Sequence, residues 1–203
     1  MYMISYSVAP MHPADNDAVN RGLRVFVWRF QRILRRSIYR VFRRIHRDDL
    51  ADGIPTVIVS GVARSGTTWL GEILARPQPT RIMFEPFYAD LVEPYSHFPE
   101  LLYMRPEDEN NELLQYCQRV LAGRIRHPWI DSQLNCLRPS LRLIKEVRVN
   151  LFLKWMVDRF PRVSPIMIIR HPCAVFHSFE QSGFTAADDL RRLLAQQKLV
   201  DDF

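Results

Sequence analysis

The chain has 203 residues, of which 47% are hydrophobic and 25% charged, a balance that indicates one globular domain with a core of its own. Its net charge of +6 is unevenly distributed: ten arginines and no acid lie in residues 21–47, so acidic residues outnumber basic ones elsewhere. Its three cysteines exclude a fully paired disulfide framework and match no paired C-x-x-C zinc motif, and they predict reduced thiols in a cytoplasmic setting.

The arginine-rich segment is predicted to form a basic amphipathic helix over residues 21–50, after a disordered stretch over residues 1–20. Apolar residues recur at the helical spacing of three to four, namely at Leu23, Phe26, Phe30, Ile33, Leu34, Ile38, Val41, Phe42 and Ile45. No uncharged run reaches the roughly 18 to 20 residues of a membrane span, and no signal-peptide pattern is present. The apolar stripe is expected either to pack on the chain's own domain or to lie on an anionic membrane surface. Nucleic acid is not an expected partner, because no base-reading motif accompanies the charge.

Residues 54–203 alternate short apolar runs with helical stretches, which predicts an α/β domain with a P-loop-like parallel sheet flanked by helices. Strands are predicted at TVIVSG (56–61), in RIMFEPF from residue 81 to an end at Glu85, and at LRLIKEV (141–147) and SPIMIIRHP (164–172), the first and last of them buried. Helices are predicted over 67–76, 110–126, 150–160, 174–183 and 186–203, and residues 88–110 are predicted to form a long surface loop.

The first strand runs into a glycine-containing turn and then a helix, the arrangement that directs backbone N–H groups at an anion. Gly61, Gly66 and Thr68 fit the pattern G-x-x-x-x-G-K-[ST], but Thr67 occupies the lysine position and Arg64 supplies a cation earlier in the loop. The hydroxyls of Ser65, Thr67 and Thr68 are further candidate donors.

The phrase RSGTTW, residues 64–69, resembles the 5′-phosphosulfate loop of sulfotransferases that use 3′-phosphoadenosine 5′-phosphosulfate (PAPS). Arginine at the Arg64 position is similar to the carbohydrate-modifying branch of that family, whereas cytosolic members carry lysine. The resemblance implies that Arg64 and residues 65–68 bind the donor and that Trp69 stacks on its adenine. The alternative for Trp69 is a core aromatic at the start of a helix.

A sulfuryl group carries one negative charge where a terminal phosphoryl group carries two. Backbone amides and a side-chain cation can therefore stabilise its transfer without a divalent metal, and no metal is expected as a cofactor. A magnesium-dependent nucleotide kinase would instead be expected to keep a lysine at position 67.

A PAPS enzyme also needs a site for the 3′-phosphate, and the sequence IMIIRHPCAVFHS offers Arg170 at a strand end with Ser178 eight residues later. The arginine fork suits a phosphate because it donates two parallel charge-assisted hydrogen bonds. This step from arginine to serine resembles the family's 3′-phosphate motif, and the resemblance extends over residues 56–182.

Transfer of sulfuryl to a hydroxyl needs a base, and Glu85 is the candidate because it emerges at the carboxyl edge of the predicted sheet. The phrase MFEPF resembles the position of an essential glutamate in the carbohydrate branch. A structural pairing of Glu85 with Arg64 or Arg81 is the alternative. His97 is the alternative base, by analogy with the family's cytosolic members.

Lys145, in the phrase IKEVRV, is expected to steady the sulfuryl group or an acidic acceptor, or else to form a surface salt bridge with Glu146 or Asp158. The function expected is sulfuryl transfer from PAPS to a hydroxyl, on a saccharide if the carbohydrate resemblance holds. Family members continue into a lid beyond the point where this sequence stops, so the sequence is expected to be a C-terminally truncated fragment, a shortened gene product, or a minimal version whose lid comes from elsewhere. A catalytically incomplete protein that binds PAPS or adenosine 3′,5′-bisphosphate is therefore the alternative function.

Overall fold

A computed structural model of the chain describes residues 55–133, 136, 138–182 and 186–203, with the side chains of 186 and 187 left aside. The predicted disordered stretch over 1–20 and the basic helix over 21–50 lie outside these residues. Within the described part of the chain, no helix is long and apolar enough to cross a membrane.

Four parallel strands form one sheet, which confirms the predicted α/β class. The strands are β1 (Thr56–Ser60), β2 (Thr80–Phe84), β3 (Leu141–Glu146) and β4 (Val163–Met167), in the spatial order β2-β3-β1-β4. Strand β1 lies between β3 and β4 and pairs with both. The loop after β1 therefore emerges between the loop after β3 and the loop after β4. This position at the centre agrees with the β-branched, apolar sequence of β1.

Six helices accompany the sheet in the described residues: α1 (Thr67–Ala75), α2 (Asn111–Leu121), α3 (Leu153–Arg159), α4 (Pro172–Ser182), α5 (Ala186–Leu194) and α6 (Gln197–Asp202). Helix α2 begins at an N-cap, because the Asn110 side chain accepts a hydrogen bond from the N–H of Leu113 at 2.9 Å. It ends near Gly123, whose φ of 65° is the left-handed conformation that commonly stops a helix.

Hydrophobic residues pack on both faces of the sheet. On one face a small cluster of Val59, Ile82 and Leu143 meets Leu70 and Leu74 of α1. On the other face lies a larger cluster that includes residues of α2, α3 and the segment 88–110. The sheet is thus the middle layer, and its carboxyl edge is left for other contacts.

The segment 88–110 is not the surface loop that was predicted. Val92, Tyr95 and Phe98 are buried in the larger cluster, and a short 3₁₀ turn spans Glu93–Tyr95. Tyr95 packs edge-to-face on Phe87 at 5.3 Å between ring centroids, a favourable geometry for aromatic rings. The prolines and acidic residues of this segment suggested that it would be exposed to solvent. Its aromatic residues are buried in the core instead and hold the segment against the domain.

Two buried arginines satisfy backbone carbonyls after α2, where a helix leaves acceptors unpaired. Arg81 donates to the carbonyls of Gly123 at 2.7 Å and Ile125 at 3.0 Å, and it pairs with Asp131 at 2.8 Å. Arg142 donates to the carbonyl of Leu121. These contacts fix the chain beyond α2 against the sheet, and they explain why the helix ends before the predicted residue 126.

Strand β4 is an edge strand and not the buried strand that was predicted. Met167 is 49% exposed, and Ile169, just beyond the strand, is 86% exposed. Pro165 fits an edge, because proline has no N–H to donate to a further strand. An apolar run by itself does not distinguish an edge strand from a central one.

The helix predicted over 186–203 is two helices separated at Gln196, whose φ of −94° and ψ of 97° are extended. The Gln196 side chain accepts from the N–H of Tyr103 at 2.8 Å and donates to the carbonyl of Leu101 at 3.1 Å. These tertiary hydrogen bonds compete successfully with continuation of the helix.

Gly61 is predicted to be intolerant of a side chain, because an added Cβ would lie 2.5 Å from the carbonyl oxygen of Ile168 and 2.8 Å from its Cγ2. Gly61→Ala should lower the free energy of unfolding by about 1–3 kcal/mol, the range for overpacking, as measured by urea denaturation. Gly71→Ala is the matched control: its Cβ would meet only the tip of Leu143, at 3.3 Å, and it gains helix propensity. Equal stability of Gly61→Ala and wild type would contradict the close packing.

Candidate functional site

The candidate residues gather at the carboxyl edge of the sheet, because every strand is parallel and each is followed by a segment that carries one or more of them. Arg64 follows β1, Glu85 follows β2, Lys145 lies at the end of β3, and Arg170 follows β4. The prediction that Glu85 emerges at the carboxyl edge of the sheet is confirmed by the topology, and Arg64, Lys145 and Arg170 lie at the same edge.

The segment between β1 and α1 is a tight loop with two left-handed residues. Gly66 has a φ of 99° and Arg64 a φ of 69°, a conformation that is uncommon and costly for a residue with a side chain. The N–H of Ser65 donates to the carbonyl of Val62 at 3.1 Å, and the Ser65 hydroxyl donates to the same carbonyl. The Ser65 hydroxyl is therefore engaged inside the loop.

The start of α1 is open to an anion. Gly66 is the N-cap residue, and no side chain in the described part of the chain caps the helix, so the first-turn N–H groups lack the acceptor that a cap would supply. Thr67, at the position of the missing lysine, is buried, whereas Thr68 is exposed. The loop thus offers backbone amides, one exposed threonine and Arg64.

The loop after β1 is hydrogen-bonded directly to the segment that carries Arg170 and Ser178. The Arg64 Nε donates to the Ser178 Oγ at 3.0 Å across 114 positions of sequence. The Arg170 Nη1 donates to the Arg64 carbonyl at 2.9 Å across 106 positions. Two motifs identified separately in the sequence therefore form one continuous polar surface between β1 and β4.

Trp69 is 65% exposed, so the alternative that it is a core aromatic is wrong. It lies in the first turn of α1, two residues after Thr67. A large exposed indole beside the loop after β1 is available for stacking on a flat ligand.

Glu85 lies at the other end of this edge in a network of buried charges, with its side chain 11% exposed. Its backbone has a left-handed φ of 45°, and its N–H donates to the carbonyl of Lys145 at 2.8 Å. One carboxylate oxygen accepts from the ammonium group of Lys145, and the other accepts from the Nη1 of Arg148 at 2.9 Å. Neither Arg64 nor Arg81, the partners considered from the sequence, is the cation paired with Glu85.

Lys145 does not form the surface salt bridge that was considered for it. It is buried, its ammonium group pairs with Glu85, and it lies 4.5 Å from the centre of the Phe84 ring. Asp158, one of the two acids considered, pairs with Lys154 on the surface instead.

Arg148 joins Glu85 to a carboxylate that the sequence did not point to. Its Nε donates to Glu100 at 2.6 Å, and its guanidinium lies 3.6 Å from the centre of the Tyr88 ring. Glu100 in turn accepts from the N–H of Ala89 at 2.8 Å. Glu100 stands inside the segment 88–110 without any motif around it, so only its burial beside Arg148 reveals its place in the site.

The buried carboxylate of Glu146 connects the loop after β2 to the loop after β3 by accepting hydrogen bonds from both. Its carboxylate accepts from the N–H groups of Phe87 at 2.8 Å, Val147 at 2.8 Å and Arg148 at 3.1 Å. Complete burial raises the pKa of Glu146 to about 7, against the opposing effect of Arg148 and the backbone donors.

Ser60 and Asn150 connect the loops after β1 and β3. The Ser60 hydroxyl donates to the Asn150 Oδ1 at 2.6 Å, and the Asn150 Nδ2 donates to the carbonyl of Val147 at 3.0 Å. The segment that carries Lys145 and Arg148 is thereby hydrogen-bonded to the end of β1, just before the loop that carries Arg64.

The histidines make other contacts. His97, the alternative base, lies 3.6 Å from Glu112 and stacks on Phe98 at 4.1 Å between ring centroids, and its side chain is about half exposed. These partners belong to α2 and the segment before it, and not to the network around Glu85. The His171 side chain accepts a hydrogen bond from the N–H of Cys173 at 3.2 Å, and the His177 side chain is hydrogen-bonded to Gln181 at 2.9 Å.

Among the described residues no group of three or more histidine, cysteine, aspartate or glutamate side chains has the arrangement of a metal site. Comparisons of the chain with protein-family models, with curated proteins and with solved structures find no match.

The pKa of Glu146 predicts a pH dependence of stability. Its carboxyl group titrates at about 7 when folded and near its ordinary value of 4.5 when unfolded, so between these pH values the folded protein binds the extra proton. The stabilisation is fully present below the unfolded pKa and is lost as pH rises through about 7. Wild type should therefore lose stability relative to Glu146→Gln between pH 5 and pH 8, with a slope of at most about 1.4 kcal/mol per pH unit.

The measurement is urea denaturation of both proteins at several pH values, because the other titrating groups cancel in the difference. If the stability of wild type relative to Glu146→Gln stays constant or rises between pH 5 and pH 8, the pKa of Glu146 is not raised in the folded protein.

Proposed function

We propose that this protein is a sulfotransferase that moves the sulfuryl group of PAPS to an acceptor hydroxyl. The observation that supports the proposal most directly is the junction of Arg64 with Arg170 and Ser178. The sequence assigned Arg64 to the 5′ end of the donor, and Arg170 with Ser178 to its 3′-phosphate, on separate resemblances. A small nucleotide can reach both groups only if they are neighbours, and they are hydrogen-bonded.

In this proposal the donor lies across the ends of β1 and β4. The amides of residues 66–68 and the Arg64 guanidinium bind the 5′-phosphosulfate, in a P-loop-like arrangement, because the Ser65 amide is already engaged with the Val62 carbonyl. Arg170 and Ser178 bind the 3′-phosphate with charge-assisted hydrogen bonds. The exposed indole of Trp69 stacks on the adenine.

The reaction is an in-line transfer. The acceptor oxygen forms a bond to sulfur while the bond between sulfur and the 5′-phosphate oxygen breaks, and the hydroxyl proton passes to Glu85. Charge that gathers on the departing phosphate is stabilised by Arg64 and the loop amides. The acceptor proposed is a saccharide hydroxyl, on the resemblance of RSGTTW and MFEPF to the carbohydrate branch.

A second candidate is a protein that binds PAPS or adenosine 3′,5′-bisphosphate without transferring sulfate. The observation that favours it is the engagement of both Glu85 oxygens, by Lys145 and by Arg148. A carboxylate held on both oxygens serves as a base only if the acceptor proton reaches a remaining lone pair. A kinase is the weaker alternative, because a buried threonine stands where the phosphate-binding lysine would lie.

The donor assignment predicts a ligand-selective effect of Arg170. By isothermal titration, Arg170→Ala should weaken adenosine 3′,5′-bisphosphate binding by roughly 10- to 100-fold, the effect of losing hydrogen bonds to a charged group. Adenosine 5′-phosphosulfate, which lacks the 3′-phosphate, should bind wild type and Arg170→Ala equally. Arg162, an exposed arginine just before the same strand, provides the control Arg162→Ala, which should bind both ligands as wild type does.

Two results would contradict the donor assignment. One is tighter binding of ATP than of PAPS to wild type. The other is an equal loss of both adenosine ligands in Arg170→Ala, which would place Arg170 away from the 3′-phosphate.

Turnover distinguishes the enzyme from the binding protein. Arg64→Ala should lower PAPS turnover by about 100-fold or more, as removal of a charge-stabilising donor does elsewhere. Glu85→Gln should lower turnover by roughly 100- to 10,000-fold while PAPS affinity stays within about twofold of wild type. Glu107→Gln, at an exposed glutamate of the segment 88–110, is the control. Full turnover in Glu85→Gln would remove Glu85 as the base.

A further inference from the structure

Glu85 holds its position against an intrinsic backbone preference. A φ of 45° is left-handed, and for a residue such as glutamate this conformation persists only where surrounding contacts determine it. The carboxylate is directed by contacts as well, since each oxygen has a different cationic partner. The two cations differ in how firmly they are themselves held.

Lys145 is the simpler partner. Its ammonium group has one carboxylate neighbour and the face of the Phe84 ring. An ammonium group has no planar fork, so it supplies charge with little control of direction.

Arg148 is restrained on several sides. Two different nitrogens of its guanidinium bind two carboxylates, Glu85 at 2.9 Å and Glu100 at 2.6 Å, and its plane rests on the Tyr88 ring. Its own N–H donates to Glu146. Rotation of the guanidinium would break at least one hydrogen bond to a carboxylate, and the side chains of Arg148, Glu85 and Glu100 are all largely buried.

The groups that hold Arg148 also hold the chain just after Glu85. Glu100 accepts from the N–H of Ala89, and Glu146 accepts from the N–H of Phe87. Arg148 is therefore the point at which the loop after β2, the loop after β3 and the segment 88–110 are joined.

We infer that Arg148 is a positioning residue that fixes the direction of the Glu85 carboxylate for proton abstraction, with Glu100 and Tyr88 holding the guanidinium in place. The inference rests on the proposed function for the proton transfer itself. The two cations then have different roles: Arg148 fixes the direction of the Glu85 carboxylate, and Lys145 supplies positive charge beside it.

The test uses the full chain and follows release of adenosine 3′,5′-bisphosphate from PAPS, with water or a panel of saccharides as acceptor. Arg148→Ala should lower kcat by about 10- to 100-fold, the effect of misplacing a reacting group, with the KM for PAPS unchanged. Arg148→Lys keeps the charge but not the planar fork, and its kcat should remain about tenfold below that of wild type.

Added guanidinium at low millimolar concentration should restore part of kcat to Arg148→Ala and none to Glu85→Gln. Lys154→Ala, which removes an exposed ion pair, should have wild-type kcat.

Thermal melting provides a readout that does not depend on turnover. The loss in Tm of the double variant Glu85→Gln, Arg148→Ala should fall short of the sum of the single-variant losses by roughly 2–4 °C, because the two residues share one interaction. If the Tm losses of the two single variants simply add in the double variant, Arg148 does not hold Glu85, and this result does not require the protein to release product.

The outcomes separate the two proposals. Wild type that neither binds PAPS nor releases product contradicts the proposed function, and the melting cycle then decides whether Arg148 holds Glu85. Active wild type with unchanged kcat in Arg148→Ala overturns the positioning role. Additive melting losses also overturn it, because they show that the two residues do not interact, and a lowered kcat without guanidinium rescue then indicates a general structural defect.

Discussion

The hydrogen bonds between Arg64 and the Arg170–Ser178 pair depend on one constraint, the placement of β4 beside β1 in a parallel sheet. Parallel neighbours end at the same edge, so the loop after β1 and the segment after β4 emerge together although more than 100 residues separate them. Gly61 permits the close approach, because only a residue without a Cβ fits against the carbonyl of Ile168. The same constraint places β3 on the other side of β1, and with it Lys145 and Arg148.

The edge carries two electrostatic environments of different character. Around Arg64, Trp69 and Arg170 the side chains are exposed and the helix N-terminus is uncapped, which suits a charged ligand from solution. Around Glu85 the charges are buried and paired with each other. Buried ion pairs add little net stability, because the loss of hydration offsets their attraction. The network is better explained by the geometry that it imposes on the loops after β2 and β3.

The sequence was sufficient for the parts of the site that depend on local pattern. The strand, loop and helix from residue 56 to residue 75 follow from one apolar run, two glycines and a helical period. The shared edge of Glu85 and Lys145 follows from parallel topology. These predictions needed no knowledge of distant contacts.

Other features depend on contacts between segments and could not be predicted in this way. The apolar run at β4 has the same composition whether it lies at the edge or the centre of a sheet. Glu100 stands in a segment without periodicity, and its role exists only because Arg148 reaches it. The break at Gln196 arises from hydrogen bonds to Leu101 and Tyr103, nearly one hundred positions away.

The central claim is that one nucleotide binds across both motifs. A crystal structure of the full chain with adenosine 3′,5′-bisphosphate tests it most directly. The account predicts the 5′-phosphate at the amides of residues 66–68 and the 3′-phosphate at Arg170 and Ser178. A ligand bound elsewhere on the protein, or one whose 3′-phosphate points away from Arg170, would contradict it.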